Sequence, residues 1–295
     1  MNIGLIDVDG HNFPNLALMK LSAYYKQAGH CVEFADMFNT YDIVFKSKVF
    51  TFTPDDYTKY DAKKIVKGGT GYKNFNITLD DKIEYICPDY SLYNIDYAMG
   101  FLTRGCIRNC SFCVVPKKEG KIKPHQDISD FLADKKKAVL LDNNVLSCNF
   151  GIQQIEKIIN LGIKVDFNQG LDARIINKSD YIVKLLSNVK WFKPLRMACD
   201  CIENLKIIVN VIKKLRESNV TPKKYFIYVI VNQEIDDALT IARELKKYRC
   251  DVFAQPFIDY NDNIEITRKQ KDFCRWVNHK AIFNTIDFAD YKYGR

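Results

Sequence analysis

The chain has 295 residues, 47% of them hydrophobic, and its 44 basic and 36 acidic residues give a net charge of +8. This length and this mixture of charges are typical of a globular protein of one or two domains and exclude a disordered chain. It contains no run of about 18 apolar residues and no charged leader before Ile3, so we expect a cytoplasmic protein without signal peptide or membrane partner.

Residues 1–95 alternate between short apolar runs and one helical segment. Pro14 lies near the first turn of that helix, which ends before Gly29. We predict strands at residues 2–8, 31–34, 41–47 and 64–67. Because strand, turn and helix alternate here, we expect a small Rossmann-like domain over residues 1–95.

Polar residues and glycines follow three of these strands. They are Asp9 and His11, Ser47, and Gly68 with Gly69. Their pattern resembles that of cobalamin-binding domains, which implies that these residues contact cobalamin or a substrate. The residues taken alone allow a second interpretation, in which they form turns or contact a phosphate.

Three cysteines lie close together in the segment 103–113. Cys106, Cys110 and Cys113 form a C-x3-C-x2-C spacing in Thr-Arg-Gly-Cys-Ile-Arg-Asn-Cys-Ser-Phe-Cys, after a strand-like run at residues 97–102. Thiolates at this spacing can converge on one soft metal centre, such as an iron–sulfur cluster, zinc or copper(I). An iron–sulfur cube usually has four cysteine ligands, so three cysteines leave one iron with an open position.

This segment resembles the cluster loop of radical S-adenosylmethionine enzymes, in which an aromatic residue, here Phe112, precedes the last cysteine. The similarity is to branches with an N-terminal cobalamin-binding-like domain and to methylthiotransferase-like loops. It implies a [4Fe-4S] cluster held by Cys106, Cys110 and Cys113, with S-adenosylmethionine bound at the open iron. It also implies a reductant of the flavodoxin or ferredoxin type, whose electron cleaves S-adenosylmethionine to a 5′-deoxyadenosyl radical.

Zinc is the alternative metal. Cys110 and Cys113 have the spacing of half a zinc site, and a fourth ligand would have to be a residue such as His125 or Cys148. In that case the chain is a non-catalytic zinc or nucleotide-binding module. Zinc does not account for Phe112 or for the strand before the loop, and these two features favour the cluster.

Residues 96–295 continue with alternating strands and helices. We predict strands within residues 97–102, 138–142, 163–167, 190–199, 225–231 and 252–255. We predict helices at residues 151–161, 178–186, 203–218, 235–248 and 266–277. Six β/α repeats agree with the partial (β/α)6 TIM-type barrel that the resemblance implies, so we expect an α/β protein whose residues 96–295 form this barrel.

Polar residues end several predicted strands of the barrel, where parallel β/α barrels carry their working residues. The resemblance implies that residues at these ends bind S-adenosylmethionine, with Phe112 against its adenine. The residues concerned are Asn143 and Asn144 near the amino group, Asn168, Arg174, Asp200 and Val231. The sequence identifies no acid–base pair, so it assigns no catalytic residue.

Two of these assignments have an alternative. Arg174 pairs either with the methionyl carboxylate or with Asp172 at the start of a helix. Asp200 either contacts the ribose hydroxyls or is the N-cap of the following helix.

The substrate class is indicated by charge and by the residues before the first cysteine. Lysines cluster at residues 117–123, 135–137 and 213–224 within a chain of positive net charge. The Thr103-Arg104-Gly105 segment resembles that of enzymes that methylthiolate transfer RNA. We expect RNA or another anionic macromolecule as the substrate, and the alternative is cobalamin-dependent methyl transfer.

Overall fold

A computed structural model of the chain describes residues 1–10, 13–258 and 265–292. Helices and parallel strands occur throughout these ranges, which confirms the α/β class. Within them, no helix combines the length and the apolar character that a membrane crossing requires.

The chain divides into two compact units. The first comprises Met1–Gly100 and Gln126–Lys137, and the second comprises Phe101–His125 and Ala138–Arg295. The predicted division between residues 95 and 96 stays a prediction. The cysteine loop and the predicted contacts to S-adenosylmethionine all belong to the second unit.

Strands and helices alternate along most of the described chain. The strands are β1 (Asn2–Asp7), β2 (Cys31–Phe34), β3 (Thr40–Ser47), β4 (Asp61–Gly68), β5 (Ala98–Gly100), β6 (Thr103–Arg104), β7 (Lys123–Pro124), β8 (Lys137–Leu140), β9 (Lys164–Phe167), β10 (Lys190–Trp191), β11 (Leu195–Ala198), β12 (Tyr225–Val231) and β13 (Asp251–Pro256). The α-helices are α1 (Leu16–Gln27), α2 (Asp81–Glu84), α3 (Val115–Lys118), α4 (Ile128–Leu132), α5 (Asn149–Asn160), α6 (Ala173–Lys178), α7 (Asp180–Ser187), α8 (Leu205–Glu217), α9 (Asp236–Lys247), α10 (Arg268–Asn278) and α11 (Lys280–Thr285). The strands predicted at residues 31–34 and 225–231 have those bounds.

The first unit contains a parallel sheet in the order β2–β1–β3–β4. The apolar face of α1 packs on it, where Leu18 and Leu21 meet Ile3 and Leu5. The connections β2–β3 and β3–β4 contain no helix in the described residues, so only the crossover from β1 through α1 to β2 has the predicted Rossmann-like pattern.

The strands of the second unit form two short rows. β9 pairs with β10 and has β8 on its other side, while β12 lies between β11 and β13. The amide of Leu171, just after β9, donates a 2.8 Å hydrogen bond to the Arg196 carbonyl on β11, which links the two rows. An antiparallel ribbon of β6 and β7 flanks the cysteine loop.

The helices of the second unit bury one face each. In α8, the buried residues are Ile208, Val211, Ile212 and Leu215, which recur every three or four residues. The lysines between them point away from this apolar stripe, so the basic character of the helix is confined to its other face. α5 and α9 show the same division.

One predicted strand and one predicted helix are each divided in two. Within residues 190–199, Pro194 separates β10 from β11, because proline has no amide hydrogen for strand pairing. Within residues 178–186, Ser179 lies between α6 and α7, and its hydroxyl oxygen accepts a 3.3 Å hydrogen bond from the Ile182 amide. Ser179 therefore caps α7.

The turn after β4 gives a first prediction. Gly69 has φ +102°, and a Cβ there would lie 2.2 Å from the Lys48 carbonyl oxygen. We expect Gly69→Ala to lower the free energy of unfolding by clearly more than the ~1 kcal/mol expected for a strained backbone alone.

The control is Gly29→Ala, because Gly29 also has a positive φ, +78°, but open space around its Cβ position. Urea unfolding followed by circular dichroism measures both variants. Equal destabilisation by the two substitutions would contradict the prediction.

Candidate functional site

The cysteine loop runs between β6 and α3 in the second unit. Cys106, Cys110 and Cys113 are free, partly exposed thiols, and the Cys113 amide donates a 3.0 Å hydrogen bond to the Cys110 carbonyl. Burial raises the pKa of Cys110 and of Cys113, and neighbouring cysteines raise both further. The three sulfur atoms are therefore close enough to interact electrostatically, and each would lose its proton more readily beside a metal cation.

A buried carboxylate fixes the start of this loop. Asp142, just after β8, is 3% exposed. It accepts hydrogen bonds from the Leu102 amide at 3.1 Å, and from the Thr103 amide and hydroxyl at 2.5 and 2.6 Å. Burial raises the pKa of Asp142 to about 6, although these hydrogen bonds oppose the rise. The segment before the first cysteine is thus tied to the carboxyl end of β8.

A second carboxylate holds the next residues of the loop. Glu119 accepts a 2.9 Å hydrogen bond from the Gly105 amide and a 3.0 Å hydrogen bond from the Asn143 side chain, and it forms an ion pair with Arg104. Gly105 has φ +83°, and a Cβ there would lie 2.4 Å from the Lys121 carbonyl oxygen. Glu119 was not predicted from the sequence. The one available signal was an acid inside a lysine-rich run.

A third carboxylate holds the loop between its first two cysteines. Asp172 accepts hydrogen bonds from Arg108 Nε at 2.9 Å, from Arg174 Nε at 3.1 Å and from the Asn144 side chain at 3.1 Å. Burial would raise the pKa of Asp172, but the hydrogen bonds from the two arginines bring it below its ordinary value. Arg108 was not predicted, because nothing in the sequence links it to a residue so far along the chain.

Arg174 forms the helix-start ion pair that was one of its two predicted roles. Asp172 also accepts from the Arg174 amide and so caps α6. Only the Nε atom of Arg174 takes part in the ion pair. The two terminal nitrogens have no hydrogen bond among the described residues, and the side chain is 39% exposed. The two roles are therefore compatible, because the free edge of the guanidinium can still pair with a carboxylate.

Asp200 follows β11 and faces the same group of residues. Burial raises the pKa of Asp200 to about 6, and the positive charge of Arg174 opposes this rise. Its carboxylate forms no hydrogen bond or ion pair within the described part of the chain. It interacts electrostatically with Cys110 and Cys113. The N-cap interpretation is wrong, because Asn204 occupies that position before α8.

Asn144 is a predicted site residue whose side chain contacts a cysteine sulfur. Its Nδ2 atom lies 3.6 Å from Cys106 Sγ, which also accepts a 3.3 Å hydrogen bond from the Arg108 amide. Asn144 is 3% exposed, and its Oδ1 atom is buried without a hydrogen-bond partner among the described residues. A buried oxygen without a partner is unusual, and a ligand with a nitrogen donor would satisfy it.

The other residues predicted to contact S-adenosylmethionine differ in whether they already have partners within the chain. The Phe112 ring lies edge-on to Phe257, with centroids 6.3 Å apart. Asn168 accepts a hydrogen bond from Gln169 at 3.3 Å. Val231 is fully buried, and its carbonyl accepts hydrogen bonds from the Phe257 amide and the Gln270 side chain. Val231 therefore contributes to the core, and its polar backbone group is already engaged.

The residues predicted to contact cobalamin lie in the first unit and make internal contacts. Asp9 accepts hydrogen bonds from the Val49 and Phe50 amides at 2.5 and 3.2 Å. Ser47 is buried and accepts a 2.9 Å hydrogen bond from Asn15. Gly69 lies directly against the Lys48 backbone, as described above, and His11 lies outside the described residues. These contacts favour turn-forming roles, and they leave few polar groups for a corrinoid.

The three cysteines of the loop are the candidate ligands for a metal ion or a cluster. In the described ranges, no group of three or more histidine, cysteine, aspartate or glutamate side chains is arranged to hold one metal ion. A single zinc ion needs its sulfur ligands about 2.3 Å from one point. The cysteines of a [4Fe-4S] cluster bind different irons and stand farther apart. The loop offers three free thiols on a segment fixed by carboxylates, and these are the ligands that a cluster with three cysteines would use.

Comparison with known proteins identified no relative of this chain. The chain matches no protein-family model and no curated protein. The family resemblance therefore rests on the sequence alone, chiefly on residues 103–113.

The buried carboxylate at the end of β8 gives a prediction about pH. The folded-state pKa of Asp142, about 6, lies above its ordinary value of 3.8. The folded state therefore binds the proton more tightly than the unfolded state, and this contribution to stability is lost as the pH rises through 6. We expect the free energy of unfolding of the wild type, relative to Asp142→Asn, to fall by roughly 3 kcal/mol over this range.

Urea unfolding between about pH 4 and pH 7 measures this difference. Asp237→Asn, which removes an exposed carboxylate on α9, is the control and should show no such change. A difference between wild type and Asp142→Asn that does not vary with pH would count against the prediction.

Proposed function

We propose that the chain is a radical S-adenosylmethionine enzyme in which Cys106, Cys110 and Cys113 hold a [4Fe-4S] cluster. The observation that carries the proposal is the fixed cysteine loop. Three carboxylates from separate parts of the second unit hold the residues before and between the cysteines, while the thiols themselves stay partly exposed. Such a loop is held in shape before any metal arrives, and a cluster site requires this arrangement.

The proposed finer fold is a partial (β/α)6 barrel in the second unit and a small Rossmann-like domain in the first. The alternation of strands with α5, α8 and α9 supports the barrel, as does the Leu171–Arg196 hydrogen bond between its two rows of strands. The parallel sheet crossed by α1 supports the Rossmann-like domain.

When bound, a reduced cluster with three cysteine ligands supplies, at its open iron, the electron that cleaves S-adenosylmethionine to a 5′-deoxyadenosyl radical. The chain contributes hydrogen bonds to the Cys106 sulfur from the Arg108 amide and the Asn144 side chain. Hydrogen bonds to cluster sulfurs are one means by which proteins set the reduction potential. The electron comes from a reductant of the flavodoxin or ferredoxin type.

The chain also offers groups that match the parts of S-adenosylmethionine. The free edge of Arg174 suits its carboxylate, and the partnerless oxygen of Asn144 suits its ammonium group. Asp200, with no internal hydrogen bond, suits the ribose hydroxyls. The Phe112 ring offers an apolar contact for the adenine, whereas Asn143, Asn168 and Val231 already have internal partners.

The proposed substrate is RNA or another anionic macromolecule. The second unit has 31 basic and 20 acidic residues, and the first has 13 basic and 16 acidic residues, so the positive excess belongs to the unit with the cysteine loop. Lys121 and Lys123, just after that loop, are exposed, and their side chains have no partner among the described residues. Free cations near a site attract phosphates. Among the described residues of the first unit, no contact favours cobalamin-dependent methyl transfer.

Metal content tests the proposal against a zinc module. After anaerobic reconstitution we expect about four irons per chain and release of 5′-deoxyadenosine with dithionite, and we expect Cys110→Ala to lose both. Cys148→Ala is the control, because Cys148 would be a ligand only in a zinc site. Stoichiometric zinc in a colourless protein, or a full cluster that forms no nucleoside, would contradict the proposal.

Arg174 gives a second test through binding. We expect Arg174→Gln to weaken binding of S-adenosylmethionine to the reconstituted protein by tenfold or more, since a charge-assisted hydrogen bond contributes roughly 1.5–3 kcal/mol. Lys178→Gln removes an exposed positive charge from the same helix and serves as the control. Equilibrium dialysis measures both variants. Unchanged affinity in Arg174→Gln would exclude this residue as the carboxylate partner.

A further inference from the structure

The row β11–β12–β13 in the second unit has one covered face and one open face. Along β12, burial alternates from residue to residue: Ile227, Val229 and Val231 are at most 1% exposed, whereas Phe226 and Tyr228 are partly exposed. The buried set faces α9, which packs on β12 and β13. Phe226 and Tyr228 therefore point to the side of the sheet opposite α9.

Side chains of β11 and β13 that pair with Phe226 and Tyr228 lie on the same side of the sheet. Arg196 pairs with Phe226, and Ala198 pairs with Tyr228, which in turn pairs with Phe253. We use the name open face for Arg196 and Ala198 on β11, Phe226 and Tyr228 on β12, and Phe253 and Gln255 on β13. All six are partly or fully exposed. An interior strand position that is both aromatic and exposed calls for an explanation, because burying such a ring is favourable.

The three rings of the open face pack on one another and form one aromatic surface. Phe226 and Phe253 stack with centroids 5.9 Å apart and planes at 26°. Tyr228 stands edge-on to both of them, at 5.1 and 6.1 Å. Ala198, in the same register row as Tyr228 and Phe253, leaves space beside the rings because its side chain is only a methyl group.

One end of this surface carries a fixed guanidinium. Arg196 lies 6.0 Å from the centre of the Phe226 ring and forms an ion pair with Asp166 on β9, which is 2% exposed. The pair holds the planar guanidinium in place and neutralises it. Arginine planes and aromatic rings both accept the flat face of a base.

The open face is continuous with the candidate site. On β11 the same side of the strand carries Arg196 and Ala198, and the next residue in this alternation is Asp200. The negative charge of Asp200 raises the pKa of Cys110 and Cys113, and β11 therefore carries part of the open face and is followed by a residue of the candidate site. A ring held on the open face would therefore lie within the same unit and on the same side of the sheet as the proposed source of the radical.

We propose that the open face binds one base of a single-stranded RNA, with Lys121 and Lys123 contacting its phosphates. This inference rests on the proposed function, since it assigns the substrate of that site. Stacking on aromatic rings holds a base without reading its sequence, and lysines follow the backbone. An apolar peptide would also suit aromatic rings, but it would gain nothing from the free lysines or from the basic excess of the second unit.

The test uses the full chain with its cluster and, as probe, a single-stranded RNA of about ten nucleotides with one 2-aminopurine. Fluorescence titration at two salt concentrations gives the affinity and its salt dependence. We expect Tyr228→Leu and Phe253→Leu each to weaken binding about tenfold, within the range measured for loss of one base–aromatic stack. Phe253→Tyr keeps the ring and should bind like the wild type.

Matched controls separate stacking from charge and from folding. Tyr181→Leu removes an exposed tyrosine of α7 and should leave the affinity unchanged. Lys121→Ala with Lys123→Ala should weaken binding and lower the salt slope by about 1.4, whereas Lys164→Ala with Lys206→Ala, also exposed, should lower the slope less. Circular dichroism confirms that each variant is folded.

The outcomes distinguish this inference from the proposed function. Iron content and 5′-deoxyadenosine release without RNA are measured on the same samples. If the nucleoside is released but folded Tyr228→Leu and Phe253→Leu bind the RNA like the wild type, the base site is overturned and the enzyme assignment stands. If RNA binding depends on the rings but a full cluster releases no nucleoside, the enzyme assignment fails and the base site is supported as a binding surface.

Discussion

The hydrogen bonds between the Asp142 carboxylate and residues 102–103 are the interaction on which the candidate site depends. They connect the cysteine loop to the end of β8 at a buried position, where an unpaired carboxylate would cost several kcal/mol. The other contacts that hold the loop depend on these hydrogen bonds. The hydrogen bonds to Glu119 and Asp172 fix residues that follow Thr103, and they position the thiols only because the loop already starts from a fixed point.

Strands and helices with strong local patterns were predictable. The seven residues of β12 are all apolar, and its prediction at residues 225–231 has the observed bounds. The periodicity that predicted a helix at residues 203–218 is the buried stripe of α8. The predictions were less accurate where one residue interrupts a pattern. Pro194 and Ser179 each divide an element, because a missing amide hydrogen or a capping hydroxyl outweighs the hydrophobic periodicity around it.

The site was predictable where chemistry is local and not where it depends on distant partners. The spacing of Cys106, Cys110 and Cys113 is visible in eight residues. Glu119 and Arg108 could not be identified, since their roles come from hydrogen bonds to residues 14–64 positions away. The polar residues after the strands were recognised from position alone. Whether their polar groups have hydrogen-bond partners follows from the tertiary contacts. These leave the Asp200 carboxylate and the terminal nitrogens of Arg174 without a partner among the described residues, whereas the Val231 carbonyl accepts a hydrogen bond.

The order of these anchors along the polypeptide has a consequence for biogenesis. Cys106, Cys110 and Cys113 leave the ribosome before Glu119, Asp142 and Asp172, the three carboxylates that give their loop its shape. A nascent chain that ends before residue 142 carries the thiols on a segment that lacks the Asp142 and Asp172 hydrogen bonds. If the loop holds the proposed cluster, its ligands reach their final arrangement only after these downstream residues have folded.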